Sequence, residues 1–571
     1  MSKEVITGAE ALMRSLKAEG VKTIFGYPGG SIMPVFDALY DYTRGEKKSF
    51  DHILVRHEQC AAHAAEGYAR VSGEVGVCIV TSGPGATNTL TGVADAMMDS
   101  TPIIVIAGQV GVAALGNDAF QEVDLVGVAQ PISKWSYQIR RPEDIAWAVS
   151  RAFYIARSGR PGPVVLDFPK NAQVTTTEYE PKHVDFVRSY VPYPKLDNDA
   201  VVKAAQLINK AKKPLALVGQ GVELGCAQKE LMDFLEKADI PAARTLLGLS
   251  ALPTGHPLDM GMLGMHGNYA PNVKEQECDV LIAIGMRFSD RVTGHPRTYA
   301  KQAKIIHLDI DKSEIDKNIK TDVAVIADCK ESLPAITKLL KQNEHREWRD
   351  SFKPLFDEEN KRVIQPAIHP TEGPLLMGEV TNVVAEATHG DAVLVNDVGQ
   401  NQMMSSRYFR YKKNRSIVTS GGLGTMGFGL PAAIGATFGA PDRTVCMFCG
   451  DGGLQMSIQE LGTIMEQQAP VKIILLNNNY LGNVRQWQDM FFGQRKSFTK
   501  MMNPQYKNIC DGYHIPYGLV VDRKDLKEAV DKMLATDGPY LLECAIKEDD
   551  NVLPMTPPGK SVDEMLLEIN I

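Results

Sequence analysis

Gly450-Asp451-Gly452-Gly453 followed by Asn477-Asn478-Asn479 is the pairing in this sequence with the most chemistry in it. An apolar run, Thr444–Phe448, precedes the first group. A helix-length segment around Met456–Glu466 follows, and a second apolar run, Val471–Leu476, leads into the asparagines. Read as strand, helix and strand, the crossover delivers the Asp451 carboxylate and an Asn478 amide oxygen to the ends of neighbouring parallel strands. Open α/β sheets bind ligands there. Hard oxygen donors suit Mg²⁺ or Ca²⁺, and two side chains leave coordination positions for phosphate oxygens and water. The glycines beside Asp451 let an extended anionic ligand approach the backbone. Each turn is commonplace alone; the 27 positions from Asp451 to Asn478, spanning one crossover, join them into a site.

Positioning that pair requires strands buried on both faces, and the chain supplies such runs from end to end. Short apolar runs alternate with helix-length periodic segments, the pattern of α/β domains with mostly parallel sheets. In the first third, Ile53–Arg56, Val75–Thr81, Pro102–Ala107 and Val164–Phe168 read as strands, with a helix around Ala146–Ala156. Pro214–Val218, Val280–Ile284 and Ile305–Leu308 read as strands in the middle third. Ala392–Asn396, Ser416–Thr419 and Tyr540–Ala545 join the two strands above in the last. The charged, proline-bearing stretch Thr175–Ala200 reads as a linker, and the charged segment from Lys341 to about Pro374 reads as a connector. Three doubly wound α/β domains are expected, at 1–175, 198–340 and 374–571. The first and last are alike in size and pattern, without a residue-level repeat.

The length of 571 residues agrees with several domains at roughly 150 residues each. Apolar residues at 44% and charged ones at 23% are ordinary for a chain with a substantial core. The formal charge of −8, from 61 basic and 69 acidic residues, argues against a nucleic-acid or anionic-membrane binder. No apolar run approaches the ~20 residues of a membrane span. The opening MSKEVITGAEALMRSLKAEG enters an amphipathic helix almost at once, leaving no room for a targeting peptide. Nine scattered cysteines suit a reducing compartment. A cytoplasmic protein is expected.

Several apparent motifs fail on geometry. Within a strand, Cys446 and Cys449 face opposite ways, and no second pair completes a metal site. His57-Glu58 and His63 lack the spacing that puts two histidines on one helical face. Gly559-Lys560-Ser561 lacks the upstream glycine of a phosphate loop. Gly422-x-Gly424-x-x-Gly427 after a strand is a literal dinucleotide-turn pattern, weak by itself.

The GDG and NN pair resembles the thiamine-diphosphate signature, and further segments narrow the resemblance. Arg56-His57-Glu58-Gln59, Thr81-Ser82-Gly83-Pro84-Gly85 and the GRPGP run at 159–163 are shared among thiamine-diphosphate 2-oxoacid enzymes. Gly108-Gln109-Val110, Asp118–Glu122, the LGMHG run at 263–267, RFSDRVTG at 287–294 and VRQWQ at 484–488 are similar to one family within them. It is the acetohydroxyacid synthase (acetolactate synthase) catalytic subunit, and the resemblance runs from about Thr7 to Met565.

That resemblance implies a role for each matching residue. Glu58, read alone, is an ordinary helix-start glutamate. By resemblance it exchanges a proton with the aminopyrimidine of thiamine diphosphate, a task that suits a carboxyl in poorly solvated surroundings. Met426 is implied as the apolar prop that holds the cofactor bent, with Gln121 and Gly30 completing the catalytic set. Gly399, Gln400, Asn401, Gln402, Gly424, Gly452, Gly453, Leu481 and Gly482 are implied to contact thiamine diphosphate. Asp451, Asn478 and the Tyr480 carbonyl are implied to hold Mg²⁺. FAD is implied at Arg160, Gly219, Gly221, Thr245, Leu246, Met265, His266, Gly285, Arg287, Asp309 and Asp328. Arg291 would hold the second substrate's carboxylate, as a guanidinium does through two parallel hydrogen bonds. Phe120 and Lys170 would line the channel, and Trp487 would meet the alkyl group of 2-oxobutyrate.

The implied reaction decarboxylates pyruvate and joins the remaining two-carbon unit to pyruvate or 2-oxobutyrate. A homodimer or tetramer with active sites between subunits, and a small regulatory subunit, are implied as well. The chain departs from the family's usual residues at Ser31, Cys60, Gly111, Ser289, Asn401, Met404 and Asn483. Asn483 and Gly111 bear on the channel mouth. Rival readings are a pyruvate oxidase or glyoxylate carboligase, a non-catalytic paralogue that keeps the cofactor, and a nicotinamide dehydrogenase built on the 422–427 turn.

Overall fold

The computed structural model describes residues 4–569. Three six-stranded sheets, each wholly parallel, form its three layers of strands. The first holds Thr23–Gly26, Asp51–Leu54, Gly76–Val80, Ile103–Gln109, Trp135–Gln138 and Val164–Pro169. Numbered along the chain, these lie in the order 2-1-3-4-6-5. The last sheet, built from Val393–Asn396, Ile417–Val418, Val445–Gly450, Val471–Asn477, Tyr517–Val520 and Tyr540–Ala545, repeats that order. The middle sheet runs 3-2-1-4-5-6, with Pro214–Val218 and Val280–Ile284 adjacent at its centre. The α/β expectation and the likeness of first and last thirds both hold. Among the described residues no helix is long and apolar enough to cross a membrane.

The central strands are β-branched and apolar because both faces are covered. Every residue of Ile103–Gln109, Pro214–Val218 and Val280–Ile284 is buried. Cys446 and Cys449 fall in different core clusters, on opposite faces of their strand as alternation requires. All nine cysteines are free thiols, and only Cys226 is exposed.

Strands missed in the sequence are edge or short ones: Trp135–Gln138 and Tyr517–Val520 are only partly buried, so no continuous apolar run marks them. Thr176–Tyr179, inside the expected linker, pairs antiparallel with Glu4–Thr7. The stretch after Lys341 is not a bare connector. It carries helices Arg346–Asp350, Lys353–Glu359 and Gln365–Ile368, and Trp348, Phe352, Leu355 and Phe356 dock on the middle domain. Their helical spacing was hidden among the charges. The helix expected around Met456–Glu466 is instead broken: one helix is Asp451–Met456, and a second, Leu461–Gln467, follows a single 3-10 turn.

The first and last domains share one core cluster. The helices Glu58–Ser72 and Gly429–Gly439 meet through small residues, among them Ala61, Ala64, Ala65, Ala432, Ala433 and Ala436, all fully buried. A Cβ on Gly435 would sit 1.8 Å from the Ala64 carbonyl oxygen, and one on Gly67 2.0 Å from that of Ala432. Backbone cannot yield as a side chain can, so Gly435→Val should cost about 3 kcal/mol or more. A thermal-unfolding midpoint unchanged in that variant would contradict this seam.

Candidate active site

In the last domain, two neighbouring strands place Asp451 and Asn478 as the sequence requires, at the carboxyl ends of Val445–Gly450 and Val471–Asn477. Both side chains are almost fully buried, at 1% and 2% exposure. Asn503 Nδ2 donates to Asp451 Oδ2 at 2.6 Å and to Asn477 Oδ1 at 2.9 Å, tying the two turns together. Tyr480 N donates to Asn478 Oδ1 at 3.1 Å, and Asn478 Nδ2 approaches Gln400 Oε1 at 3.4 Å. Burial pushes the Asp451 carboxyl above its ordinary range, and its hydrogen-bond donors are neutral amides. A dry carboxylate surrounded by neutral donors and amide oxygens is a site that a hard cation would complete.

Met426 belongs to the same cluster. A Cβ on Gly452 would meet Met426 Cε at 2.8 Å and Leu481 Cδ2 at 2.7 Å, so these side-chain ends close over the glycine and would have to shift for any larger residue. The turn just after Met426 is fixed by Asp397, fully buried past the end of Val393–Asn396. Its carboxylate accepts from Gly427 N at 3.0 Å, Gly429 N at 2.9 Å and Val398 N at 2.8 Å. Gln402 Nε2 donates to Thr419 Oγ1 at 2.7 Å, and Asn401 Nδ2 to Val398 O at 3.2 Å. Asp397 and Asn503 were not anticipated. Neither stands at a motif spacing; each reaches the site through the fold.

The other half gathers on the first sheet. Glu58 starts the helix Glu58–Ser72, whose N-cap His57 accepts from Gln59 N. Asn88 Nδ2 donates to Glu58 Oε2 at 2.9 Å, and a Cβ on Gly85 would meet Glu58 Oε1 at 3.3 Å. Gln121 packs on Gly83 and holds a left-handed φ of 60°. Ser31, next to Gly30, accepts from Ser82 N at 2.9 Å and contacts Thr81 Oγ1 at 3.0 Å. The serine found in place of the family's usual alanine is therefore used. Glu58 is only half-buried in the single chain, drier surroundings having been expected, while Lys170 is exposed and Phe120 is 87% exposed. Among the described residues no hydrogen bond joins Glu58 or Gln121 to the Asp451 cluster.

The middle sheet opens a cavity of about 600 Å³. It lies at the switch between Pro214–Val218 and Val280–Ile284, where the strand order reverses and doubly wound sheets take dinucleotides. Arg160, Gly221, Thr245, Leu246, Met265, His266, Gly285, Arg287, Asp309 and Asp328 all line it. Gly219 does not. It is needed for close approach instead, since a Cβ there would lie 2.3 Å from Gly285 O. Arg160 is held by Glu314 at 2.7 Å and Asp311 at 3.2 Å, and burial pushes the Asp309 carboxyl up to about 7. Burial pushes His266 down to about 4, with Arg291 and Arg407 adding repulsion. The same cavity reaches Gly399, Gln402 and Gly424 of the last domain, and Arg291, Asn483 and Trp487 at its mouth. A second opening of about 610 Å³ shares Arg291, Asn483 and Trp487 and adds Phe492 and Arg495.

Comparison with known proteins agrees with this geometry. Residues 6–128 match the N-terminal TPP binding domain of thiamine pyrophosphate enzymes, 201–336 the central domain and 397–544 the C-terminal TPP binding domain. The chain is 44% identical over 569 residues to the acetolactate synthase isozyme 2 large subunit of Escherichia coli, covering 99% of this chain and 100% of that one. It is 41% identical over 563 residues to the acetolactate synthase large subunit of Lactococcus lactis, covering 98% and 96%. Against chloroplastic acetolactate synthase 1 of Nicotiana tabacum the identity is 42% over 582 residues, covering 98% and 85%. With three thiamine-pyrophosphate-enzyme domains in series and this identity along its whole length, the chain belongs to the acetolactate synthase large-subunit family.

Proposed function

We propose that this chain is the catalytic subunit of an acetolactate synthase, decarboxylating pyruvate and joining the two-carbon remainder to pyruvate or 2-oxobutyrate. The products are 2-acetolactate and 2-aceto-2-hydroxybutyrate, precursors of the branched-chain amino acids. The observation that carries the reading is the shared mouth: Arg291 and Trp487 stand on one cavity that reaches the Gly399–Gln402 turn. A guanidinium for a carboxylate and an indole for an alkyl group are what a second 2-oxoacid needs.

Thiamine diphosphate, when bound, supplies the nucleophilic carbon and the sink for the electrons released on decarboxylation. Asp451, Asn478 and the Tyr480 carbonyl would hold Mg²⁺, with Gln400, Asn401 and Gln402 beside the diphosphate. Met426 holds an apolar surface over the Gly452 turn and enforces proximity. Glu58 keeps and returns a proton at Oε1 or Oε2, with the Asn88 amide fixing the carboxylate's direction. Glu58 and the Asp451 cluster sit on different domains, and the half-open Glu58 and the bare Phe120 ring leave room for a second copy of the chain. Two copies, each lending one half-site to the other, complete the arrangement. The residues lining the middle cavity suit FAD: glycines at the strand switch would admit a diphosphate, and the Asp309 and Asp328 carboxylates would accept from ribose hydroxyls. The overall reaction consumes no electron acceptor, so the flavin's part would be structural.

The test is purified protein with thiamine diphosphate, Mg²⁺ and FAD, given pyruvate alone or with 2-oxobutyrate, and identification of the products. Acetate formed only with an added electron acceptor, in place of the two acetohydroxyacids, would turn the assignment into an oxidase. Trp487→Leu should shift the product ratio toward acetolactate by roughly tenfold, the scale of one methyl in an apolar pocket. An unchanged ratio would remove Trp487 from substrate choice.

A further inference from the structure

Between the first and last domains, beneath the turn that leads into Met426, lies a cluster of ionisable side chains that the proposed reaction does not use. On the helix Glu58–Ser72, His63 and Glu66 are fully buried, with His63 Nδ1 2.9 Å from Glu66 Oε1. Gln59 Nε2 approaches His63 Nε2 at 3.4 Å. Asp95, on the helix Leu90–Met98, is also fully buried and accepts from Ser420 Oγ at 3.0 Å through Oδ1. A ring nitrogen of His63 and one oxygen each of Glu66 and Asp95 lie within 4.8 Å of one another. Two oxygens here lack any hydrogen-bond partner, Glu66 Oε2 and Asp95 Oδ2.

The nearby cation is already committed. Arg70 donates to Asp99 Oδ2 at 2.8 Å and Thr101 Oγ1 at 3.2 Å, and Asp99 also accepts from Gly421 N and Gly422 N at 2.7 Å each. If Glu66, Asp95 and Asp99 were all ionised, with Asp99 facing both Arg70 and Arg287, this dry seam would hold one uncompensated negative charge. Such a charge is too costly to keep, and the group takes a proton instead. Two carboxylates that share a site hold one proton between them. The other facing groups are neutral: the Cys78 thiol lies on the neighbouring strand, and the last domain presents the Phe428 ring, 5.2 Å from the His63 ring, and the Ser420 and Thr425 hydroxyls, which favour an ionised Asp95. Arg287, from the middle domain, is beside Asp99 at Gly422. An amide N–H of Gln59 facing Nε2 leaves the His63 proton on Nδ1, directed at Glu66 Oε1.

We propose that Glu66 keeps a proton on Oε2 at neutral pH and donates it to Asp95 Oδ2, making Glu66 a positioning residue for the turn Ser420–Thr425. The line of contact runs from Glu66 through Asp95 to Ser420 Oγ, which accepts from Thr425 N at 2.8 Å, one residue before Met426. Burial pushes His63 down to about 3 and Glu66 well above its ordinary value, in keeping with a neutral pair. The inference does not depend on which 2-oxoacid the protein uses.

The experiment compares wild type, Glu66→Gln and Glu66→Met by thermal unfolding across pH and by infrared difference spectroscopy. Gln supplies a permanent N–H where the proton would be, while Met keeps length and removes the donor. A carboxyl protonated only in the fold loses stability as pH rises past the ordinary carboxylate range. The wild-type midpoint should therefore fall relative to Glu66→Gln from about pH 5 to about pH 8. Glu66→Met should unfold earlier than both throughout. The difference spectrum of wild type minus Glu66→Gln should contain the carbonyl stretch of a protonated carboxylic acid at neutral pH. The proposal is overturned if that band is missing, or if Glu66→Gln is as unstable as Glu66→Met or fails to fold. A metal ion found by elemental analysis in wild type and lost in Glu66→Gln would likewise replace the proton with a cation.

Discussion

Glu58→Gln should lower acetolactate formation by about a thousandfold while leaving cofactor affinity nearly intact. The variant keeps the shape of the side chain, and Asn88 Nδ2 can still donate to its amide oxygen. What it loses is the capacity to exchange a proton, and a positioned acid–base group contributes about 10²- to 10⁴-fold. The measurement has two arms. Product formation reads the whole reaction, and deuterium exchange at the reactive thiazolium carbon of the bound cofactor, followed by NMR, reads activation alone. Both should fall together. Activity within a few-fold of wild type would remove Glu58 from the chemistry and restore its plain reading as a helix-start residue.

Asp451→Asn should split stability in two directions. Without ligands, the carboxyl is disfavoured in its ionised form by burial, so its folded pKa lies above the unfolded one. The wild-type fold therefore loses stability as pH climbs above the ordinary carboxylate range, and the neutral amide avoids that loss. The ligand-free variant should melt no earlier than wild type at neutral pH, and somewhat later. With Mg²⁺ and thiamine diphosphate the order reverses. Wild type should gain the stabilisation that any ligand binding only the folded state confers. The variant has no charged ligand for the ion, and removing one partner of a buried ionic contact costs about 3–5 kcal/mol, a weakening of at least roughly a hundredfold. Titrating Mg²⁺ and cofactor while following the unfolding midpoint decides it. An equal rise in both proteins would show that Asp451 does not hold the ion.

The sequence made Asp451 and Asn478 readable because each follows a strongly apolar strand, and such strands announce themselves by composition, whereas Glu58, which starts a helix beyond the poorly buried edge strand Asp51–Leu54, is readable only through its motif. The same rule explains Pro214–Val218, Val280–Ile284 and Tyr540–Ala545, whose observed limits match the expected ones. It fails at sheet edges. Tyr517–Val520 has one buried residue in four, too little contrast to mark a strand beside loops of similar composition. Asp397 and Asn503 were invisible for another reason: what they do depends on which turns the fold carries to them, 30 residues on for Gly427 and 52 residues back for Asp451. Glu58 is half-buried in the single chain, and the sequence around it does not fix how much solvent reaches it. What a second copy would cover is not written in any local pattern.

Cys226, the single exposed thiol among nine, has a practical consequence. It directly follows Leu224 and Gly225, which line the middle-domain cavity, and Arg415 Nη2 is 3.8 Å from its sulfur. A maleimide dye will therefore attach to the unmodified chain at one address, without any cysteine being engineered in or out. Its emission would register the filling and emptying of that chamber in real time, separately from turnover.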